Sequence, residues 1–185
     1  MTLRTLVAPV LALVGLVFTA QAQQESSATK LPILTDNGVW TSVAVKDLRV
    51  VMPAKPGDVR DEASAEIQSI HAFTTAGTFS VVVKQLDKDL DARNTERFVN
   101  QVALAAIDAK TQLIEKHDVE YEGTRGAQVT YLEDGNRVCA RIFYLNDQLI
   151  VMSASFKTAD YRAEFDTVVD QFFDSIRVKV PLLVA

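Results

Sequence analysis

The residues that could do chemistry in this chain are few. Its single cysteine, Cys139, stands between Arg137 and Arg141. In an extended strand, alternate residues share a face, so all three side chains would point the same way. Two guanidinium groups beside a thiol favour the thiolate, which is the reactive form. The plainer expectation is a small buried hydrophobe, because a lone strand cysteine with Val138 and Ala140 beside it has little else to do, and no sequence motif supplies a catalytic histidine. The chain holds two histidines, His71 and His117. Zinc needs three or four ligands, thiolate sites are excluded with one cysteine, and the H-E-x-x-H spacing is absent, which leaves only a site of histidine plus carboxylates. Surface or half-buried histidines are therefore expected. Asp87, Asp89 and Asp91 alternate like the opening of a calcium loop, but Ala92 stands where glycine is required and Phe98 where the closing glutamate belongs, so an exposed solvated loop is expected there. Gly123-Thr124-Arg125-Gly126 is too short for a phosphate loop and reads as a turn. No G-x-S-x-G elbow or Walker sequence occurs. No catalytic, cofactor-binding or metal-ligating residue is assigned, and no cofactor is expected.

The elements that must position these residues begin after a leader. Arg4 is followed by an apolar run to Phe18 and by small residues at Ala20 and Ala22, the pattern of a cleavable secretory signal over residues 1–22. The run is shorter than the roughly 20 residues that a bilayer core requires, so cleavage after Ala22 and release into the periplasm or beyond are expected, with no stable membrane insertion afterwards. One thiol cannot close an intramolecular disulfide, so the domain must hold together by its core in an oxidising compartment. Loss of Arg4 with the leader takes the formal charge from −5 to −6. An acidic chain without lysine or arginine clusters is poorly suited to nucleic acid or anionic lipid, so neither is an expected partner.

Residues 23–38 read as a flexible leader, and one domain is expected over 39–180, followed by a tail at 181–185. Strand patterns run from Leu48 to Met52, Ala65 to Thr74 and Thr78 to Leu86. The apolar period then changes to about 3.6 from Asn94 to Leu113, the stripe of an amphipathic helix with Asn94 or Thr95 as its N-cap. Strands follow at Ile114 to Tyr121, Gly126 to Leu132, Arg137 to Tyr144 and Gln148 to Phe156, joined by turn signals at Glu122-Gly123, Glu133 to Asn136 and Asn146-Asp147. A second helix is predicted from Ala159 to Ser175, with Tyr161, Phe165, Val168, Val169, Phe172 and Phe173 on one face. A short strand, Ile176 to Val180, ends at Pro181. The fold class is α+β: a mostly antiparallel sheet of about six to eight strands covered by two main helices.

Several of these landmarks together resemble the PsbP-like domains. They are the strand ending Met52-Pro53-Ala54-Lys55-Pro56, the Gly123 to Gly126 step opening a strand, the hairpin of Arg141 to Tyr144 with Gln148 to Met152, and the closing helix ending Phe172-Phe173-Asp174-Ser175-Ile176-Arg177. That family includes the lumenal extrinsic subunit of photosystem II and a Ran-binding nuclear import factor. The resemblance covers about residues 39–180, is nearest to exported bacterial members without assigned activity, and implies an α/β/α sandwich with a docking role. The photosystem subunit's lysine-rich N-terminal segment is missing, so photosystem binding is not implied. The expected function is a non-catalytic binding or accessory module whose partner is another protein. The alternative is a small periplasmic hydrolase or metal-dependent enzyme with a site assembled from scattered polar residues.

Overall fold

The computed structural model describes residues 39–86, 90–105, 107 and 112–178. The leader, its cleavage site, the C-terminal tail and the residues Asp87 and Asp89 lie outside them.

Two sheets and two helices build the domain. Strands β1 (Thr41–Val45), β2 (Leu48–Met52) and β10 (Arg177–Val178) form a small antiparallel sheet in the order β1-β2-β10. Strands β3 (Val59–Ala63), β4 (Ile67–Phe73), β5 (Gly77–Gln85), β6 (Gln112–Tyr121), β7 (Thr124–Glu133), β8 (Asn136–Leu145) and β9 (Gln148–Lys157) form a seven-stranded sheet in the order β3-β4-β5-β9-β8-β7-β6. Every described pairing is antiparallel. After β5 the chain crosses one face as helix α1 (Ala92–Ala105) and re-enters at the far edge as β6. It then returns strand by strand until β9 pairs with β5.

That return is dictated by three two-residue turns. Glu122-Gly123, Asp134-Gly135 and Asn146-Asp147 all have positive φ at both positions. This is the type I′ geometry, whose twist matches that of the flanking strands, and Gly, Asn and Asp tolerate it best. Gly126 is held for another reason. A Cβ there would meet the Phe143 ring and the Ile142 carbonyl, so β7 lies too close to β8 at that point for any side chain.

Alternation along β8 shows how the large sheet serves two cores. Val138, Ala140, Ile142 and Tyr144 point to one face and pack with Phe98, Val99, Val102 and Ala103 of α1. Cys139 and Phe143 point to the other, where Leu48, Val50 and Met52 of the small sheet meet helix α2 (Glu164–Asp174). Phe165, Val168, Val169, Phe172 and Phe173 supply the buried stripe of α2. Phe172 packs edge-to-face on Phe79 at 5.4 Å, and Phe165 stacks on Phe156 at 4.9 Å. Each such side chain contributes about 1.5–3 kcal/mol by leaving water. Helices thus cover both faces of the large sheet, and one outer layer is shared between α2 and the small sheet.

Several boundaries differ from the sequence expectations. Helix α1 ends at Ala105, and Leu113, expected on its stripe, is exposed in β6. The cap is Asp91 rather than Asn94 or Thr95: its carboxylate accepts from the Asn94 backbone N–H at 2.8 Å and from the Asn94 side-chain amide at 3.0 Å. Helix α2 starts at Glu164 instead of Ala159, because Thr158–Asp160 form a separate 3-10 turn. Tyr161 therefore precedes the helix, although its ring still packs on Phe156 and Phe165. Strands β1 and β3 were not anticipated, and of the closing strand the described part is Arg177–Val178.

Candidate functional site

Strand β8 does place Arg137, Cys139 and Arg141 on one face, under α2; Arg141 is engaged elsewhere, whereas Arg137, though it lies over a tyrosine ring, also acts on the thiol. The Arg137 guanidinium lies 4.5 Å from the centre of the Tyr161 ring. Arg141 lies 4.8 Å from that of Phe173, donates to Gln128 Oε1 at 2.8 Å, and pairs with Asp174 at 2.7 Å. Both hold the chain around α2 against the sheet by cation–π contact, a use for which the planar guanidinium is suited. Cys139 is 4% exposed, and Thr130 Oγ1 donates to its sulfur at 3.6 Å. Burial pushes the thiol pKa up; the Thr130 hydrogen bond and Arg137 oppose this without reversing it. The thiol is kept protonated, the opposite of a nucleophile's requirement. Beside it, Tyr161 donates a short hydrogen bond to Asp166.

The two histidines are not brought together. His71 lies on β4 and His117 on the exposed edge strand β6, five strands away, which is about 24 Å at ~4.8 Å per strand. Among the described residues no group of three or more His, Cys, Asp or Glu could hold a metal ion. His71 is buried, and its Nδ1 is 2.9 Å from Ser80 Oγ, also buried. Desolvation lowers the His71 pKa, while Glu62 on β3 pulls it back. A serine hydroxyl against an imidazole is the first contact of a hydrolytic pair. Here it also satisfies two polar groups that burial would otherwise leave without partners. Of the residues that resembled a calcium loop, Asp91 caps α1 and Phe98 is buried beneath it.

The feature that sequence patterns did not reveal is a groove on the outer side of α2. It is open, encloses about 620 Å³, and lies between β2 and β10 on one wall and α2 on the other. Arg49 and Arg177 are direct cross-strand partners on the sheet wall. Asp170, Asp174, Thr167 and Gln171 line the helix wall. Ser175 joins the two: its hydroxyl accepts from the Val51 N–H at 2.9 Å and lies 3.3 Å from the Val51 carbonyl oxygen. The hydroxyl proton goes to the Phe172 carbonyl at 2.7 Å, so the contact occupies the Val51 N–H of β2 where β10 has run out. The residues concerned lie more than 100 positions apart in the chain, so local spacing carried no signal of their meeting.

The backbone is similar to that of a known structure. The solution structure of PsbP from the cyanobacterium Synechocystis sp. PCC 6803 is similar with a TM-score of 0.53 at 14% identity, over 83% of this chain and 98% of that one. The chain has the PsbP-like fold. A Pseudomonas aeruginosa protein of unknown function, PA94, is similar with a TM-score of 0.46 at 15% identity, over 78% of this chain and 99% of that one. No family model matches the sequence, and no curated protein does. Within the PsbP-like fold, the groove belongs to the layer shared by α2 and the small sheet, whereas Cys139 lies beneath that layer. No described helix is long and apolar enough to cross a membrane.

Proposed function

We propose that this chain is an exported, non-catalytic binding or accessory module that meets another protein in the periplasm or outside the cell. The observation that carries the proposal is the groove beside α2, where Arg49 and Asp170 face solvent across an open cleft without an ion pair among the described residues. Recognition surfaces of this kind guide and orient a partner by electrostatic complementarity. The side chains capable of covalent chemistry are handled in the opposite way: Cys139 is buried with its thiol protonated, and His71 is buried against Ser80. Export is supported by the signal pattern of residues 1–22.

A photo-crosslinking residue in place of Gln171, in the producing cell, tests the module. The expected result is a discrete adduct from position 171 and none from the exposed edge position His117. Equal adducts at both positions, or none, would sink the groove as the meeting place. Intact-mass measurement of the exported chain is expected to show Gln23 at its start.

The hydrolase alternative has one observation in its favour, the 2.9 Å contact of His71 with Ser80. A fluorophosphonate reagent decides it: labelling of Ser80 in the native protein would install the enzyme reading. No native labelling is expected, because that hydroxyl is 1% exposed.

A further inference from the structure

Four charged residues line the groove, and the fold uses them unequally. Asp174 is held by Arg141 at 2.7 Å. Arg177 turns back over the end of α2, where its Nη1 donates to the carbonyls of Asp174 at 2.6 Å and Ile176 at 2.5 Å. Cationic groups belong at a helix C-terminus, where the carbonyls carry partial negative charge. Arg49 and Asp170 have no such engagement. Neither forms an ion pair or side-chain hydrogen bond among the described residues, and they line opposite walls.

Both open charges also sit beside charge of their own sign. Arg49 faces Arg177 directly across the β2 and β10 pair, and like charges in that position are destabilising. Asp170 is four residues from Asp166 and four from Asp174 on α2, where like charges are likewise unfavourable. Asp166 has Tyr161 as a hydrogen-bond donor and Asp174 has Arg141, whereas Asp170 in the middle has neither. An anion at the sheet wall and a cation at the helix wall would each relieve a repulsion that the fold leaves standing. Between them Thr167 and Gln171 offer uncharged hydrogen-bonding groups. An added strand finds no free donor at Val51 on the floor, because the Ser175 hydroxyl already accepts from that N–H. Recognition at that point must run through side chains.

We infer that the groove binds an extended peptide segment of mixed charge, its acidic side chain taken by Arg49 and its basic side chain by Asp170. This rests on the groove being the partner surface, as proposed above, and adds the chemistry of what enters it. An open cleft suits a protein segment better than an enclosed small molecule, which requires most of its surface to be covered.

Fluorescence anisotropy of the exported chain with three labelled synthetic peptides at low ionic strength tests it: alternating Glu and Lys, Glu only, and Lys only, each spaced with Gly. The mixed peptide is expected to bind tightest. Arg49→Glu and Asp170→Lys are each expected to weaken it on the order of tenfold, through added repulsion as well as lost attraction. The double exchange Arg49→Glu with Asp170→Lys is expected to recover most of that loss, because the alternating peptide can shift register to meet reversed walls. Thermal unfolding of each variant shows that the fold is kept. Mixed-peptide binding no tighter than that of either single-charge peptide, or unchanged by both reversals, overturns the inference. A crosslinked partner at position 171 together with such a result would leave the module standing and remove only the mixed-charge chemistry; loss of both would remove both.

Discussion

The two sides of α2 use the same residue types to opposite ends. On the inner side, Arg137 and Arg141 rise from β8 to meet Tyr161, Phe173 and Asp174, and the charges are absorbed into packing. On the outer side, Arg49 and Asp170 remain open to water across the groove. A guanidinium clasped between an aromatic ring and a carboxylate contributes to the fold because several contacts order it at once. An exposed charge beside a like charge contributes nothing to the fold and is available to a partner. Sequence alone does not separate the two cases, since arginine next to an apolar strand residue occurs in both.

The largest effect is expected at the aromatic face on which both sides of α2 depend. Phe172 is fully buried and touches Phe79 and Phe173, so Phe172→Ala is expected to cost about 3–5 kcal/mol in chemical unfolding. A cost below about 0.5 kcal/mol, typical of surface sites, would place α2 off the sheet. The inner side is tested next by Arg141→Leu, which keeps apolar volume but removes the partner of Gln128 and Asp174. The expected cost is about 1–3 kcal/mol, because Gln128 is left buried without its donor. No loss at all would mean that the clasp is incidental. Cys139 reports on the same region without disturbing it: the native thiol should label slowly at neutral pH and promptly in denaturant. Fast native labelling would show that the layer above it opens.

Acid should loosen the other face of the large sheet. Burial lowers the folded-state pKa of His71 below its ordinary 6.5, so the unfolded chain takes up a proton there before the folded chain does. Stability is therefore full above about pH 6.5 and falls as the pH drops from there towards the folded value, by at most about 1.4 kcal/mol per pH unit. Arg60, its cross-strand partner, and Glu62, two residues along β3, act in opposite directions on that charge. His71→Gln is expected to flatten the profile of melting temperature against pH in this window. An unchanged profile would assign the acid sensitivity elsewhere.

Much of the fold was legible because it is local. The turn pairs Asp134-Gly135 and Asn146-Asp147 consist of residues that tolerate positive φ, Glu122-Gly123 has one such residue in its glycine, and apolar alternation marked the strands they join. Strand β1 escaped notice because its hairpin turns at Lys46, which adopts positive φ without being a residue that advertises it. Strand β3 escaped because Val59–Ala63 is a mostly exposed edge whose charged residues carry no alternation to read. The end of α1 was overrun because Leu113 keeps the four-residue spacing even though it belongs to β6, and spacing alone does not mark where a helix gives way to a strand. Cys139 between two arginines was correctly placed on one face with them, but only the packing of α2 reveals that the arginines are clamps. The groove was illegible altogether, as its walls come from opposite ends of the domain.

The smallest effect is expected where the outer side is touched alone. Arg49 is exposed, engages no carboxylate among the described residues, and stands directly opposite Arg177 in a strand pair. Replacing it with threonine retains a residue that favours extended backbone and removes the repulsion between the two guanidinium groups. Arg49→Thr is therefore expected to change unfolding stability by less than about 0.5 kcal/mol, with any change toward greater stability. The sign distinguishes the two sides of α2, because the inner Arg141 loses stability when replaced. Raised salt sharpens the test: it screens the repulsion in the parent chain, so the difference between parent and variant should shrink as ionic strength rises. A loss above about 1 kcal/mol at Arg49 would show that this arginine holds the fold as its inner counterparts do, and the groove would lose the open cation on which its proposed recognition chemistry depends.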